Sequence, residues 1–134
     1  MAGLIPYVHF DGRAREALTF YRELFGGELS LATFAEFERA DGPAEAIAHG
    51  VLTGRVDLYG ADLADGAPPP RLTGVMFALL GAADPETLQA WFAALSDGGV
   101  VVEPLEARPW GAHDGQVRDR FGVTWLIGYE DDDV

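Results

Sequence analysis

The stretch Gln116-Val117-Arg118-Asp119-Arg120-Phe121-Gly122-Val123-Thr124-Trp125-Leu126-Ile127 decides the fold. It reads as a short strand, a turn over Asp119 to Gly122, and a closing strand whose Val123, Trp125 and Ile127 share one face. Just before it, Pro109-Trp110-Gly111-Ala112-His113-Asp114-Gly115 reads as a glycine-bounded loop carrying an indole and an imidazole. Small domains often keep their ligand contacts on loops delivered by strands.

Working outward, the chain repeats one pattern. Leu4 to Phe10 predicts a strand, with Pro6 marking an edge or a start. Ala14, Ala17, Leu18, Tyr21, Leu24 and Phe25 recur at helical steps, and Gly26-Gly27 supplies the stop. Strands are expected over Glu28 to Phe37, Glu45 to Thr53 and Arg55 to Tyr59, with Thr53-Gly54 at the hairpin. Ala64 to Arg71, with Pro68-Pro69-Pro70, is a linker. The order then restarts. Gly74 to Leu80 is a strand, and Asp84-Pro85 is an N-cap with proline at the first helical position. Leu88, Trp91, Phe92 and Leu95 make the helix face, Gly98-Gly99 ends it, and Val100 to Val102 is strand. The expected fold class is therefore α+β: two βαβββ modules, about 1–63 and 72–130 around a linker at about 64–71, pairing around a shared cleft within one domain of 134 residues.

Composition narrows the functions. Nine arginines, no lysine and 22 carboxylates give a net charge of −13. Such a surface repels phosphate backbones, so no nucleic-acid partner is expected, and a small cationic molecule is favoured over an anionic one. No apolar run approaches the ~20 residues of a membrane span, and no signal-like N-terminus is present, so a cytoplasmic protein without a membrane partner is expected. The chain has no cysteine, which removes thiolate ligands and thiol nucleophiles. The acidic run Glu130-Asp131-Asp132-Asp133 reads as a solvated tail.

Taken together, these motifs resemble the vicinal oxygen chelate superfamily of glyoxalases, bleomycin-resistance proteins and extradiol dioxygenases, and within it the PhnB-like branch. The resemblance lies in Pro6-Tyr7-Val8-His9-Phe10-Asp11-Gly12, Glu16-Ala17 before Phe20-Tyr21, and Leu24-Phe25-Gly26-Gly27. It continues in His49, Trp110-Gly111, Gly115 to Asp119, Phe121-Gly122 and Trp125. Arg120 and Val123 depart from the proline and histidine common in that branch. The family holds its metal with His and Glu at four strand positions. Carried over, these fall near Leu4 to Pro6, on His49, near Val75 and near Leu126, so His49 alone matches. A divalent ion needs at least three converging protein groups. No metal or other cofactor is therefore expected, and a divalent metal is the less favoured alternative. The resemblance also implies a homodimer.

The ligand-binding candidates are His49, Trp110, Tyr7, Asp57 and His113. His49 is either a hydrogen-bonded histidine beside the core or a cleft-facing base or ligand. Trp110 is a stacking platform or a residue packing its loop down. Asp57 alternates with Val56 and Leu58 and is expected to face the cleft, and His113 to rim it. His9 reads as a structural or surface residue, Arg118 and Asp119 as surface groups able to pair across the turn or to orient a ligand carboxylate, and Trp91 and Trp125 as core. No catalytic residue is assigned. The expected function is metal-independent small-molecule binding, with a metal-dependent lyase, isomerase or dioxygenase using His49 as the alternative.

Overall fold

The computed structural model describes residues 3–131 and divides after Pro70 into two compact units. The first unit contains β1 (Tyr7–Phe10), α1 (Ala14–Phe25), β2 (Glu28–Thr33), β3 (Ile47–Thr53) and β4 (Leu58–Asp62). The second contains β5 (Phe77–Leu80), α2 (Pro85–Ser96), β6 (Val100–Ala107), β7 (Ala112–Arg118) and β8 (Thr124–Glu130). Their four-stranded sheets have the same order, β1-β4-β3-β2 and β5-β8-β7-β6, each with one parallel pair closing on two antiparallel ones. This is an α+β fold of two βαβββ modules. No helix among the described residues is long and apolar enough to cross a membrane.

Each core follows from periodicity. Ala14, Ala17, Leu18, Tyr21 and Phe25 of α1 are buried, as are Leu88, Trp91, Phe92 and Leu95 of α2. Gly26 ends α1 at φ 79°, a conformation that favours glycine. Asp84 caps α2 by accepting from Thr87 N–H at 2.8 Å, with Pro85 in the first turn. Trp125 is buried as expected, its ring meeting Phe77 edge-on.

α1 has no such local cap. Arg13 precedes it without a capping side chain, and Asp62, at the end of β4, takes that role from 48 residues away. Its carboxylate is 5% exposed and accepts from Ala14 N–H and from Ile47 N–H, both at 2.9 Å. One buried side chain thereby joins the helix start, β3 and β4.

β3 begins at Ile47 rather than Glu45 and β5 at Phe77 rather than Gly74, and four further expected boundaries are corrected. β1 begins at Tyr7, because Pro6 has no N–H to give the ladder, although its carbonyl accepts from Tyr59. β2 stops at Thr33 rather than Phe37. Thr33 and Glu36 form a reciprocal capping box, with Glu36 Oε1 accepting from Thr33 N–H at 3.2 Å and Thr33 Oγ1 accepting from Glu36 N–H at 3.1 Å. β4 begins at Leu58, since the β3–β4 turn is closed by Asp57 accepting from Gly54 N–H at 3.0 Å. β6 runs past Val102 to Ala107 as a bulged edge strand, where Pro104 is tolerated.

The loop expected at 109–115 is mostly strand. Only a tight turn remains, tied by Arg108 N–H to the Ala112 carbonyl at 2.7 Å, and His113, Asp114 and Gly115 lie in β7. Gly115 is there for closeness rather than for a loop: a Cβ would lie 2.6 Å from the Leu105 nitrogen of β6. The acidic terminus is corrected in the same region. Glu130 closes β8 and Asp131 N–H bonds the Gly111 carbonyl, while Asp132 and Asp133 lie outside the described residues.

Replacing Asp62 with Ala should strip two buried N–H groups of a charged acceptor and lower stability by about 3 kcal/mol, with Tm falling by roughly 10 °C. Urea denaturation of Asp62→Ala against the parent checks this; a loss under about 1 kcal/mol would contradict the carboxylate's role as the tie.

Candidate functional site

The sequence candidates assemble into two clusters, one in each module. In β1, Val8 and Phe10 are buried while Tyr7 and His9 leave the opposite face of the pleat. β1 pairs in parallel with β4, setting Tyr7 beside Tyr59. His49 lies in β3, between buried Ala48 and Gly50. The Tyr7 hydroxyl and His49 Nδ1 are 3.0 Å apart, and their rings stack at 5.7 Å and 19°. Tyr59 meets His49 edge-on at 5.9 Å, and His9 lies 5.5 Å from Tyr7. The result is a patch of two imidazoles and two phenols on one sheet.

His49 is half-buried and held by Tyr7, a placement compatible with both readings open for it. His9, read as a structural or surface residue, is exposed and joins the cluster. Tyr59 was missed, because only strand pairing brings it to Tyr7. Arg39 was missed as well. It lies beyond the capping-box turn, bonded bidentately to Asp41 at 2.9 and 2.7 Å, with its guanidinium 4.1 Å from the centre of the Phe34 ring. The Asp41 hydrogen bonds are the main reason that its pKa lies above the usual guanidinium range.

Tyr7 is 44% exposed, yet burial of its hydroxyl raises its pKa above the ordinary phenol value, with the Arg39 charge a smaller opposing influence. It is therefore a neutral hydroxyl throughout the physiological range. Whatever stability the neutral form contributes is present below pH ~10 and lost as pH rises through the folded-state value. The phenolate titration of the parent minus that of Tyr7→Phe should show one tyrosine with a midpoint above ~10; a midpoint at or below that figure would contradict the buried hydroxyl.

In the second module, Leu80, Gly81, Trp110, Ala112, His113, Asp114, Tyr129 and Glu130 line a half-open cavity of about 300 Å³. His113 and Tyr129 are cross-strand partners and stack at 4.8 Å and 12°. The Tyr129 hydroxyl accepts from Gln89 Nε2 at 2.8 Å, which fixes the ring. An Asp131 carboxylate oxygen is 2.8 Å from His113 Nδ1 but without hydrogen-bond geometry. Trp110 is 71% exposed at the lip, so of its two readings the structure favours an available ring over one packed down. Arg108, for which the sequence holds no signal, is a hub linked to the cavity through Asp114. It is bonded to Asp114 at 2.9 Å, lies within 4 Å of Glu103 and Glu106, and donates to the carbonyls of Pro104 and Asp114.

The remaining candidates fall elsewhere. Asp57 is exposed in the β3–β4 turn and belongs to neither cluster. Asp119 is corrected from surface to core: 4% exposed, it accepts from the N–H groups of Phe121 and Val123 and from Trp125 Nε1 at 2.9 to 3.1 Å. Its burial follows from the turn, which points its carboxylate inward at three donors.

A family-model match to the glyoxalase/bleomycin resistance protein/dioxygenase superfamily spans residues 3–127. The chain belongs to that superfamily. Protein YjdN of Escherichia coli K12 is 28% identical to it over 92% of both chains. Among solved structures, protein PA1353 from Pseudomonas aeruginosa is 30% identical and superposes with a TM-score of 0.82, over 97% of this chain and 98% of that one. The PhnB protein from Bacillus cereus shares the fold at a TM-score of 0.80 and 20% identity, over 96% and 99%.

The described residues do not fit the superfamily's metal. His49 stands at one ligand position, but its neighbours are phenols and an imidazole rather than carboxylates. The positions carried over to Val75 and Leu126 are aliphatic, and the described residues contain no group of three His, Cys, Asp or Glu placed to hold an ion.

Proposed function

We propose that this superfamily member binds a small organic molecule on the Tyr7–His9–His49–Tyr59 face, without a resident metal. The observation that carries the reading is the 3.0 Å contact between the Tyr7 hydroxyl and His49 Nδ1. The phenol orients the imidazole and leaves Nε2 to meet a ligand, and the described residues contain no group of three His, Cys, Asp or Glu in which Nε2 could share an ion. Flat rings and O–H or N–H groups on one open sheet face suit a planar molecule bearing oxygen acceptors. Arg39, whose charge acts on Tyr7, is paired bidentately with Asp41, so this face carries little net charge of its own and gives no preference to the cation that net charge alone suggests. Screening over ~8 Å at physiological ionic strength keeps more distant carboxylates from setting the sign at this face.

Thermal shift separates this reading from metal-dependent chemistry. Aromatic carboxylates and phenols should raise Tm in the presence of a chelator, a ligand at ~100 times its Kd adding about 2.7 kcal/mol, and His49→Ala should abolish the rise. A chelator-reversible rise with Mn²⁺, Ni²⁺, Zn²⁺ or Fe²⁺ that vanishes in His49→Ala would overturn the proposal in favour of a metal enzyme.

A further inference from the structure

The cavity of the second module shares no residue with the Tyr7–His49 face, and its chemistry differs. Trp110 presents a largely open indole at the lip, held between Pro109 and Gly111, whose φ is 90°. The stacked His113–Tyr129 pair forms an aromatic wall, and Leu80 adds an exposed aliphatic edge. Charge around the cavity is one-sided. Asp114 and Glu130 line it, and Asp131 stands beside His113. Arg108 pairs most closely with Asp114, at 2.9 Å, and offsets that charge, so the field at the cavity rests on Glu130 and Asp131. A cavity of about 300 Å³ is at the small end of ligand pockets and fits a single-ring molecule. An accessible indole face with carboxylates nearby is the arrangement that attracts an organic ammonium through its ring quadrupole.

We infer that the Trp110–His113–Tyr129 cavity is a second ligand site, selective for a small aromatic or quaternary ammonium ion. Trp110 supplies the cation–π face, Glu130 and Asp131 supply the field, and the His113–Tyr129 stack supplies the flat wall. This site stands apart from the first-module reading and survives or fails separately.

The probes are benzyltrimethylammonium, with benzyl alcohol and benzoate as uncharged and anionic counterparts. Two readouts follow them: acrylamide quenching of tryptophan fluorescence and the imidazole proton resonances of the three histidines. Trp91 and Trp125 are buried, so the accessible fluorescence reports Trp110. Benzyltrimethylammonium should protect Trp110 from acrylamide and shift His113 while leaving His9 and His49 in place. Trp110→Ala should weaken its binding about tenfold, as expected for a partly desolvated cation–π contact, and Glu130→Gln should weaken it several-fold. Trp110 is exposed, so that variant should keep the parent Tm.

Equal affinity for benzyl alcohol would overturn the inference, as would unchanged affinity in Trp110→Ala or a cation that moves His9 and His49 instead. Benzoate that shifts His9 and His49 supports only the first-module reading. Benzoate that shifts neither undermines that reading and leaves the cation site standing.

Discussion

Two buried carboxylates hold the modules in shape. Asp62 in the first and Asp119 in the second are nearly inaccessible, and the hydrogen bonds found for each come from N–H donors. Burying a carboxylate is costly unless donors converge on it. Once they do, the charge fixes the donors in return. Asp62 fastens the first turn of α1, where the helix dipole also favours an anion, to the first residue of β3. Asp119 gathers the turn into β8 and anchors the Trp125 indole within the core. The same device thus serves both halves, through different residues at different places in the module.

The sites depend on those ties at one remove. α1 and β3 are locked together by Asp62, so the sheet face away from α1 is presented in fixed register and Tyr7, His49 and Tyr59 meet as a cluster. In the second module the tight Arg108–Ala112 turn and the close approach of Gly115 to β6 draw His113 into a strand. A flexible loop would have left it in solvent. In β7 it stacks on Tyr129 and becomes part of a wall.

Charge shows how a global quantity can mislead about a local one. A net charge of −13 suggests one kind of ligand for the whole molecule. The acidic excess is shared almost evenly, with 11 carboxylates on either side of the division after Pro70 against five arginines before it and four after. What differs is local: phenols and imidazoles cluster around His49, while Glu103, Glu106 and Asp114 gather on Arg108 and Glu130 lines the second-module cavity. Screening over about a nanometre makes these neighbourhoods electrostatically distinct.

The sequence by itself determined the repeated βαβββ order, both helices and their buried faces, the Asp84 cap and the superfamily. These rest on interactions within a few residues of one another and on periodicity, which a linear text preserves. It also contained one signal that was passed over, Thr33 and Glu36 at capping-box spacing, which ends β2 early. Tertiary structure alone decided the rest. Asp62 caps a helix that begins 48 residues before it, Tyr59 reaches Tyr7 only through parallel pairing, and Asp119 turns inward only because Trp125 folds back over it. Each of these contacts joins groups whose meeting depends on strand register, and register is set by the packing of the whole sheet rather than by any local run of residues.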